Sequence, residues 1–231
     1  EQLDEETARR IGAGFAAFSR AGRIAVGRDC RLSSPGLAAA LIDGIASQGT
    51  GVDDLGMITT DMVYYASGAL DEPGAMVTAS HNPPGWNGLK LCLAGAAPVG
   101  IDTGLAEVRR LAADPPRAAA TRGAVRGLDV LEGYVDHLLS IVDASVLAGL
   151  RVAADGGNGV AGVAVPRVFE RLPAELIGLY LLSSDNRLPT SVLRDMGDEK
   201  RETDPMGCYL MRLPHRRKRK GLRRVGVAAP G

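Results

Sequence analysis

Apolar residues recur along this chain in two alternating rhythms, one near 3.6 and one near 2, and the alternation is the first clue to its architecture. Ala8, Ile11, Phe15 and Phe18 form a helical stripe that opens behind Asp4, Glu5 and Glu6, where the helix dipole favours acids. Residues 24–26 then read as a strand. Ser33 or Ser34 is placed to cap a second helix with Pro35 at its first position, Leu37, Leu41, Ile42 and Ile45 supply its apolar face, and Gly49 ends it. A strand over 52–57, a helix over 61–70, a buried strand over 74–78 and a helix over 103–111 complete one layered α/β unit. The Pro-, Ala-, Arg- and Gly-rich residues 114–127 read as a surface connection. Beyond it a helix over 130–147, with Val130, Tyr134, Leu138 and Ile141 on one side, leads to a strand over 150–154. A glycine turn, a helix containing Val163, Val168 and Leu172, and a strand over 175–182 follow. The expected organisation is a first domain over 1–127, an incomplete second α/β domain over 128–182, and a divergent basic tail over 183–231 for which disorder is one reading.

The chemistry concentrates where the rhythm breaks. After the apolar run 74–78, the segment Ser80-His81-Asn82-Pro83-Pro84-Gly85 excludes any regular element, because two prolines remove donors and fix φ. Asn87-Gly88 is a turn signal, and Leu89, Leu91 and Leu93 alternate with Lys90 and Cys92 at strand period. The segment thus reads as a broad hairpin with Ser80 at its tip and Lys90 facing away from the leucines. A serine beside His81 and near a lysine fits a positively biased pocket for a phosphoryl group; the alternative for so short a motif is a polar turn. A second glycine-rich stretch, Gly156-Gly157-Asn158-Gly159, lacks the even spacing of a dinucleotide fingerprint and reads as a plain strand-to-helix turn.

The run Thr78-Ala79-Ser80-His81-Asn82-Pro83 followed by Asn87-Gly88-Leu89-Lys90 resembles the phosphoserine loop of the α-D-phosphohexomutases. The flanks resemble the same family over about the first 180 residues, in Arg23 to Arg31 with the following Leu-Ser-Ser-Pro, in 52–60, and in 152–162. The continuations after Gly88 and at 98–104 look most similar to bacterial phosphomannomutases, with the phosphoglucomutase branch next. The resemblance implies a mixed-sheet α/β domain 1 followed by part of a second domain. It also implies interconversion of hexose 1- and 6-phosphates of mannose or glucose, through a 1,6-bisphosphate that also serves as activator. On it Ser80 is the phosphoryl carrier, Lys90 the proton-transfer group and His81 a phosphate or substrate contact. Asn82 and Asn87 are implied contacts to substrate or phosphate. Arg28 and Arg31 lead toward the loop, where each can support the phosphoryl group or pair with Asp29. Magnesium is the implied metal, bound through the phosphate on Ser80.

Other features qualify that expectation. The family's Asp-Gly-Asp-x-Asp-Arg magnesium loop and its two later domains have no counterpart after about residue 182, where a faint alignment puts Arg219, Gly221 and Arg223 at the acids' places. Feeble mutase activity is therefore expected of this chain alone. Net charge is zero, but residues 212–231 hold eight Lys and Arg and no acid, leaving residues 1–211 with 19 bases against 27 acids. The run 215–220 reads as a solvated tail or an altered reading frame, with nucleic-acid binding the less favoured reading because no aromatic residues interleave the charges. A non-catalytic sugar-phosphate-binding remnant stays open as an alternative. Cys30, Cys92 and Cys208 lack metal spacing, and no apolar run of membrane length occurs, so a reducing cytoplasm is the expected setting.

Overall fold

The computed structural model describes residues 3–83, 85–157, 159–181 and the backbone of 210–212. Helix α1 (Glu5–Ser19) begins where Asp4, in extended backbone, accepts the Thr7 N–H at 2.7 Å, as N-cap geometry requires. Strand β1 (Arg23–Arg28), helix α2 (Ser34–Ser47), strand β2 (Gly51–Met57), helix α3 (Thr60–Leu70) and strand β3 (Gly74–Val77) follow in strict alternation. Strands β4 (Leu89–Leu93) and β5 (Ala97–Pro98) precede helix α4 (Leu105–Ala113) and strand β6 (Val125–Gly127). Helix α5 (Leu131–Ser140), strand β7 (Arg151–Asp155), helix α6 (Ala161–Phe169) and strands β8 (Glu175–Leu179) and β9 (Leu210–Arg212) complete the order. Two compact units divide the chain, Glu1–Tyr134 and Val135–Gly231.

In the first unit six strands lie in the order β5-β4-β3-β1-β2-β6, with β1, β2, β3 and β6 parallel and β4 and β5 antiparallel to their neighbours. The sheet is mixed, as the family resemblance implies. Both faces are covered, which explains why the central strands are buried almost throughout instead of alternating with polar residues. Ile24, Val26, Val52, Ala75, Val77 and Leu91 pack with Phe15, Leu37, Leu41 and Ile45 in one cluster on the α1/α2 side. On the other side α3 lies so close that a Cβ on Gly27 would stand 2.6 Å from Ile58 and 2.9 Å from Val63. Helices α1 and α2 approach equally closely, since a Cβ on Gly12 would meet the Leu41 carbonyl at 2.2 Å and one on Gly44 the Arg9 carbonyl at 1.9 Å.

Several sequence expectations are corrected. Ser33 makes no side-chain cap, and the buried Ser34 hydroxyl turns to Asp29 Oδ1 at 2.5 Å, so neither serine caps α2; Pro35 still occupies its first turn. The connection 114–127 contains β6, an exposed edge strand paired parallel with β2. The helix expected over 130–147 stops at Ser140, and Asp143 caps a separate 3-10 turn by accepting from Ser145 N at 3.0 Å. Ile141, counted on the apolar face, is exposed.

In the second unit β7 pairs parallel with β8 and antiparallel with β9. The Gly156-Gly157 turn is satisfied by its own flank: Gly157, at φ +54, donates to Asp155 Oδ1 at 2.9 Å. Of the expected basic tail, only β9 falls within the described residues. The cationic run and Arg219, Gly221 and Arg223 lie outside them.

One buried charge ties β1, β2 and β6 together. Asp53 is 0% exposed and receives Arg23 Nε at 2.9 Å and Arg126 Nε at 2.7 Å. Burial by itself would raise its pKa, but hydrogen bonds from Arg126 and Arg23 outweigh it and hold the carboxyl below its ordinary value. Because the folded value lies below the unfolded one, the stabilisation is present above about pH 4 and is lost as pH falls through the folded value. Asp53→Asn is expected to cost toward the low end of roughly 3–5 kcal/mol at neutral pH, since both arginines reach solvent. The difference from the parent protein, measured by urea unfolding, should shrink below pH 4; a pH-independent difference contradicts the assignment. Gly12→Ala and Gly44→Ala should each lower stability by about 1–3 kcal/mol through overpacking, whereas Gly22→Ala, in open space, should change it by less than about 0.5 kcal/mol.

Candidate active site

The loops that follow the C-terminal ends of β1 and β3 lie side by side, because these two strands are hydrogen-bonded parallel neighbours. In an open parallel sheet this is where ligands bind. Strand order reverses here too, since β1 connects outward to β2 and the chain then returns across β1 to β3.

Ser80 stands just past the buried Thr78 and Ala79, and it is exposed. Its backbone is left-handed at φ +54, a conformation that costs an L-residue about 1–2 kcal/mol. Its N–H donates to Thr78 Oγ1 at 2.9 Å, and its Oγ lies 3.3 Å from His81 Nδ1. Thr78 N donates to the Gly88 carbonyl at 2.9 Å, closing the base of the loop. Asn82 N reaches back to the Ala79 carbonyl at 3.1 Å. The Asn82 side chain is exposed and makes no hydrogen bond among the described residues.

Asn87 is an anchor within the protein. Its Nδ2 donates to Ser33 Oγ at 3.0 Å and Ser34 Oγ at 2.8 Å, and its Oδ1 accepts Gly88 N at 2.8 Å. The start of α2 is thereby fastened to the far end of the loop. Arg31 forms the expected pair with Asp29, Nε to Oδ2 at 3.2 Å, and also donates to main-chain carbonyls of the loop. Asp29 is buried; its Oδ1 accepts Arg31 N at 3.0 Å. Arg28 makes only a long contact, Nη1 to the Asp29 carbonyl at 3.5 Å.

Lys90 pairs in register with Met76, on the sheet face opposite Leu89 and Leu91, which pack toward the α1/α2 cluster. The period-2 reading of this strand therefore holds. Lys90 is exposed, and its ammonium has no hydrogen-bond or ion-pair partner among the described residues. The fold thus brings Ser80 and His81 into contact and seats Arg31, Asn82 and Asn87 in one loop assembly, while among the described residues no hydrogen bond joins Lys90 or Arg28 to Ser80. Sequence reasoning missed Thr78, Ser33 and Ser34 as supports of this loop. Thr78 was legible as a hydroxyl two residues before the serine, the spacing of a local side-chain turn.

The resemblance implies magnesium at the phosphoserine. Among the described residues no group of three or more His, Cys, Asp or Glu is placed to hold a metal ion. Asp29, the carboxylate tied to this loop, is committed to Arg31 and Ser34. The described residues by themselves therefore do not fit a hard cation that takes six or more oxygen ligands. Among them, too, no helix is long and apolar enough to cross a membrane.

The fold and loop define an α/β/α domain that presents an exposed serine at the C-terminal end of a central strand. Residues 1–114 match the family model of phosphoglucomutase/phosphomannomutase, alpha/beta/alpha domain I. A phosphomannomutase of Escherichia coli is 42% identical over 179 residues, covering 75% of this chain and 39% of that protein. A phosphomannomutase of Klebsiella pneumoniae is 44% identical over 140 residues, covering 59% of this chain and 89% of that protein. A crystal structure of a phosphoglucomutase/phosphomannomutase family protein from Burkholderia thailandensis superposes with a TM-score of 0.68 at 35% identity, over 78% of this chain and 41% of that one. The chain belongs to the phosphoglucomutase/phosphomannomutase family, to whose N-terminal portion it corresponds. It spans about 39–47% of the length of the Escherichia coli and Salmonella relatives it matches.

The left-handed backbone at Ser80 makes a stability prediction separate from chemistry. Ser80→Gly should leave the unfolding free energy, measured with urea, within about 0.5 kcal/mol of the parent, because glycine's freedom at positive φ offsets its greater unfolded entropy. Ser80→Val should lower stability by about 1–2 kcal/mol, since a β-branched residue is disfavoured there. Equal effects from both would mean that the bend is not left-handed in solution.

Proposed function

We propose that this chain carries the phosphoserine half of a phosphohexomutase, acting on hexose 1- and 6-phosphates of mannose or glucose. The observation that carries the reading is Ser80: exposed, next to an imidazole, and fixed in a costly backbone conformation just past the C-terminal end of β3, where β1 and β3 run parallel. Relatives named phosphomannomutase and phosphohexose mutase support the substrate class.

In the proposed cycle a sugar hydroxyl attacks the phosphorus on Ser80, the P–Oγ bond breaks, the hydroxyl proton passes to a base, and the leaving Ser80 Oγ takes up a proton through its contact with His81 Nδ1. Lys90, on the adjoining strand, is the candidate base. The product is a hexose 1,6-bisphosphate. After it turns, its other phosphoryl group is taken back by Ser80 Oγ, whose proton returns through the His81 Nδ1 contact, while the sugar oxygen left behind takes the proton that the base had held. A covalent carrier thus divides one exchange into two in-line transfers. Arg28, Asn82 and the exposed rim of the loop are the proposed contacts for sugar phosphate. Glucose or mannose 1,6-bisphosphate is the proposed activator because it charges an empty serine directly. Magnesium, the metal the family resemblance implies, would need carboxylate ligands that the described residues do not offer. The steps above are therefore those of this chain's own groups.

Incubation with glucose 1,6-bisphosphate should add one phosphoryl group to the intact mass, located on Ser80 and absent from Ser80→Ala. Turnover of mannose or glucose 1-phosphate should stay far below the roughly 10 per second of an ordinary enzyme. Saturable bisphosphate binding with no mass gain would replace the reading with that of a sugar-phosphate-binding domain, and full turnover would reject the impairment.

A further inference from the structure

We infer that Arg31 is the positioning residue of this site: it binds no phosphate itself but folds the loop so that Ser80 and the His81 main-chain N–H face an incoming phosphoryl group. The inference rests on the phosphoryl-carrier reading of Ser80 and adds the device that makes the carrier competent.

A guanidinium has five N–H donors in a rigid fork. Here each has a protein acceptor. Nε donates to Asp29 Oδ2 at 3.2 Å. Nη1 donates to the carbonyls of Pro83 at 2.8 Å and Trp86 at 3.1 Å. Nη2 donates to the carbonyls of Ser80 at 2.9 Å and Asn82 at 2.7 Å. No donor remains for a phosphate oxygen, and the side chain is only 13% exposed. The loop is wrapped around the cation with four carbonyls turned inward.

That wrapping has two consequences at Ser80. Gripping its carbonyl from one side, while Thr78 Oγ1 accepts its N–H from the other, fixes both peptides that flank the residue and so holds φ at +54. In a trans peptide the C=O and the following N–H point opposite ways. With the Ser80 carbonyl on Arg31, the His81 N–H is therefore directed away from the guanidinium, and no described residue accepts it. An unpaired main-chain donor one residue from the Ser80 hydroxyl is suited to stabilise phosphoryl oxygens, because it is aimed in advance and needs no reorganisation. Asp29 sets the fork's direction; it is anchored by Ser34 Oγ and Arg31 N on its other oxygen, and its own N–H bonds the Val77 carbonyl at 3.0 Å.

The test follows phosphorylation of Ser80 by glucose 1,6-bisphosphate with the full chain, using time-resolved intact mass at several bisphosphate concentrations. For Arg31→Lys and Arg31→Ala the maximal rate of phosphoryl uptake should fall about 100-fold, as expected for a misplaced nucleophile, with the half-saturating concentration nearly unchanged. Added guanidinium ion should partly restore Arg31→Ala, whereas lysine's single point charge should not replace the fork. A raised half-saturating concentration at unchanged maximal rate would mean that Arg31 binds phosphate, and an unchanged rate would mean that it does neither; each overturns the inference. Limited proteolysis of the loop supplies a second measurement, in which Arg31→Ala should be cut about tenfold faster than the parent within residues 80–86, as a locally unfolded segment is. If the parent takes up no phosphate, the carrier reading fails by itself, and equal proteolysis of parent and variant would then overturn the clamp as well.

Discussion

One guanidinium, spending every donor on protein acceptors, is the constraint from which the geometry of this site descends. Main-chain carbonyls facing inward would repel one another, and a loop with two consecutive prolines has few N–H groups with which to satisfy them. Arg31 supplies the missing donors, and Asp29 and Ser34 keep it oriented. The bend at Ser80 then follows from the bonds on either side of it. A lysine, with one mobile point charge, could not serve four carbonyls and a carboxylate together.

The rest of the first unit is arranged to make that bend rigid. Parallel pairing of β1 with β3 sets their exit loops side by side, and close helix packing over small residues such as Gly12 and Gly44 leaves α1 and α2 little room to shift. The start of α2 is itself tied to the loop through Asn87, so helix and loop share hydroxyl groups that would otherwise have capped the helix. The polar ends of the sheet obey the same economy. Asp53 is buried because two arginines from neighbouring strands meet it, and Glu72 nearby, its carboxyl pKa raised by burial and then by Asp53, has a buried oxygen without a hydrogen-bond partner among the described residues.

Much of this fold was legible because the hydrophobic rhythm is simple. Ile24, Val26, Val52, Ala75 and Val77 belong to strands whose two faces are both covered, and the stripe of α1 matches its buried side. What was not legible has identifiable physical reasons. Strand β6 is three exposed residues within a Pro- and Ala-rich connection, and only pairing with β2 makes it a strand. The break after Ser140 depends on Asp143 capping a new turn, a competition that apolar spacing does not register. The loop itself could be read as a phosphoserine motif, yet the four carbonyls that Arg31 holds lie 49 to 55 residues away and are main-chain atoms, which carry no sequence signal. By residue type alone an arginine at such a loop is a candidate phosphate ligand; the count of occupied donors is what separates a ligand from a clamp.

The central claim is geometric, and the most direct test is an experimental structure of residues 74–93 at a resolution that fixes individual peptide orientations. The account predicts Ser80 at φ near +54 with its hydroxyl open to solvent, and the Arg31 fork on the carbonyls of Ser80, Asn82, Pro83 and Trp86. A negative φ at Ser80, or an Arg31 side chain reaching into solvent with those carbonyls bonded elsewhere, would contradict it.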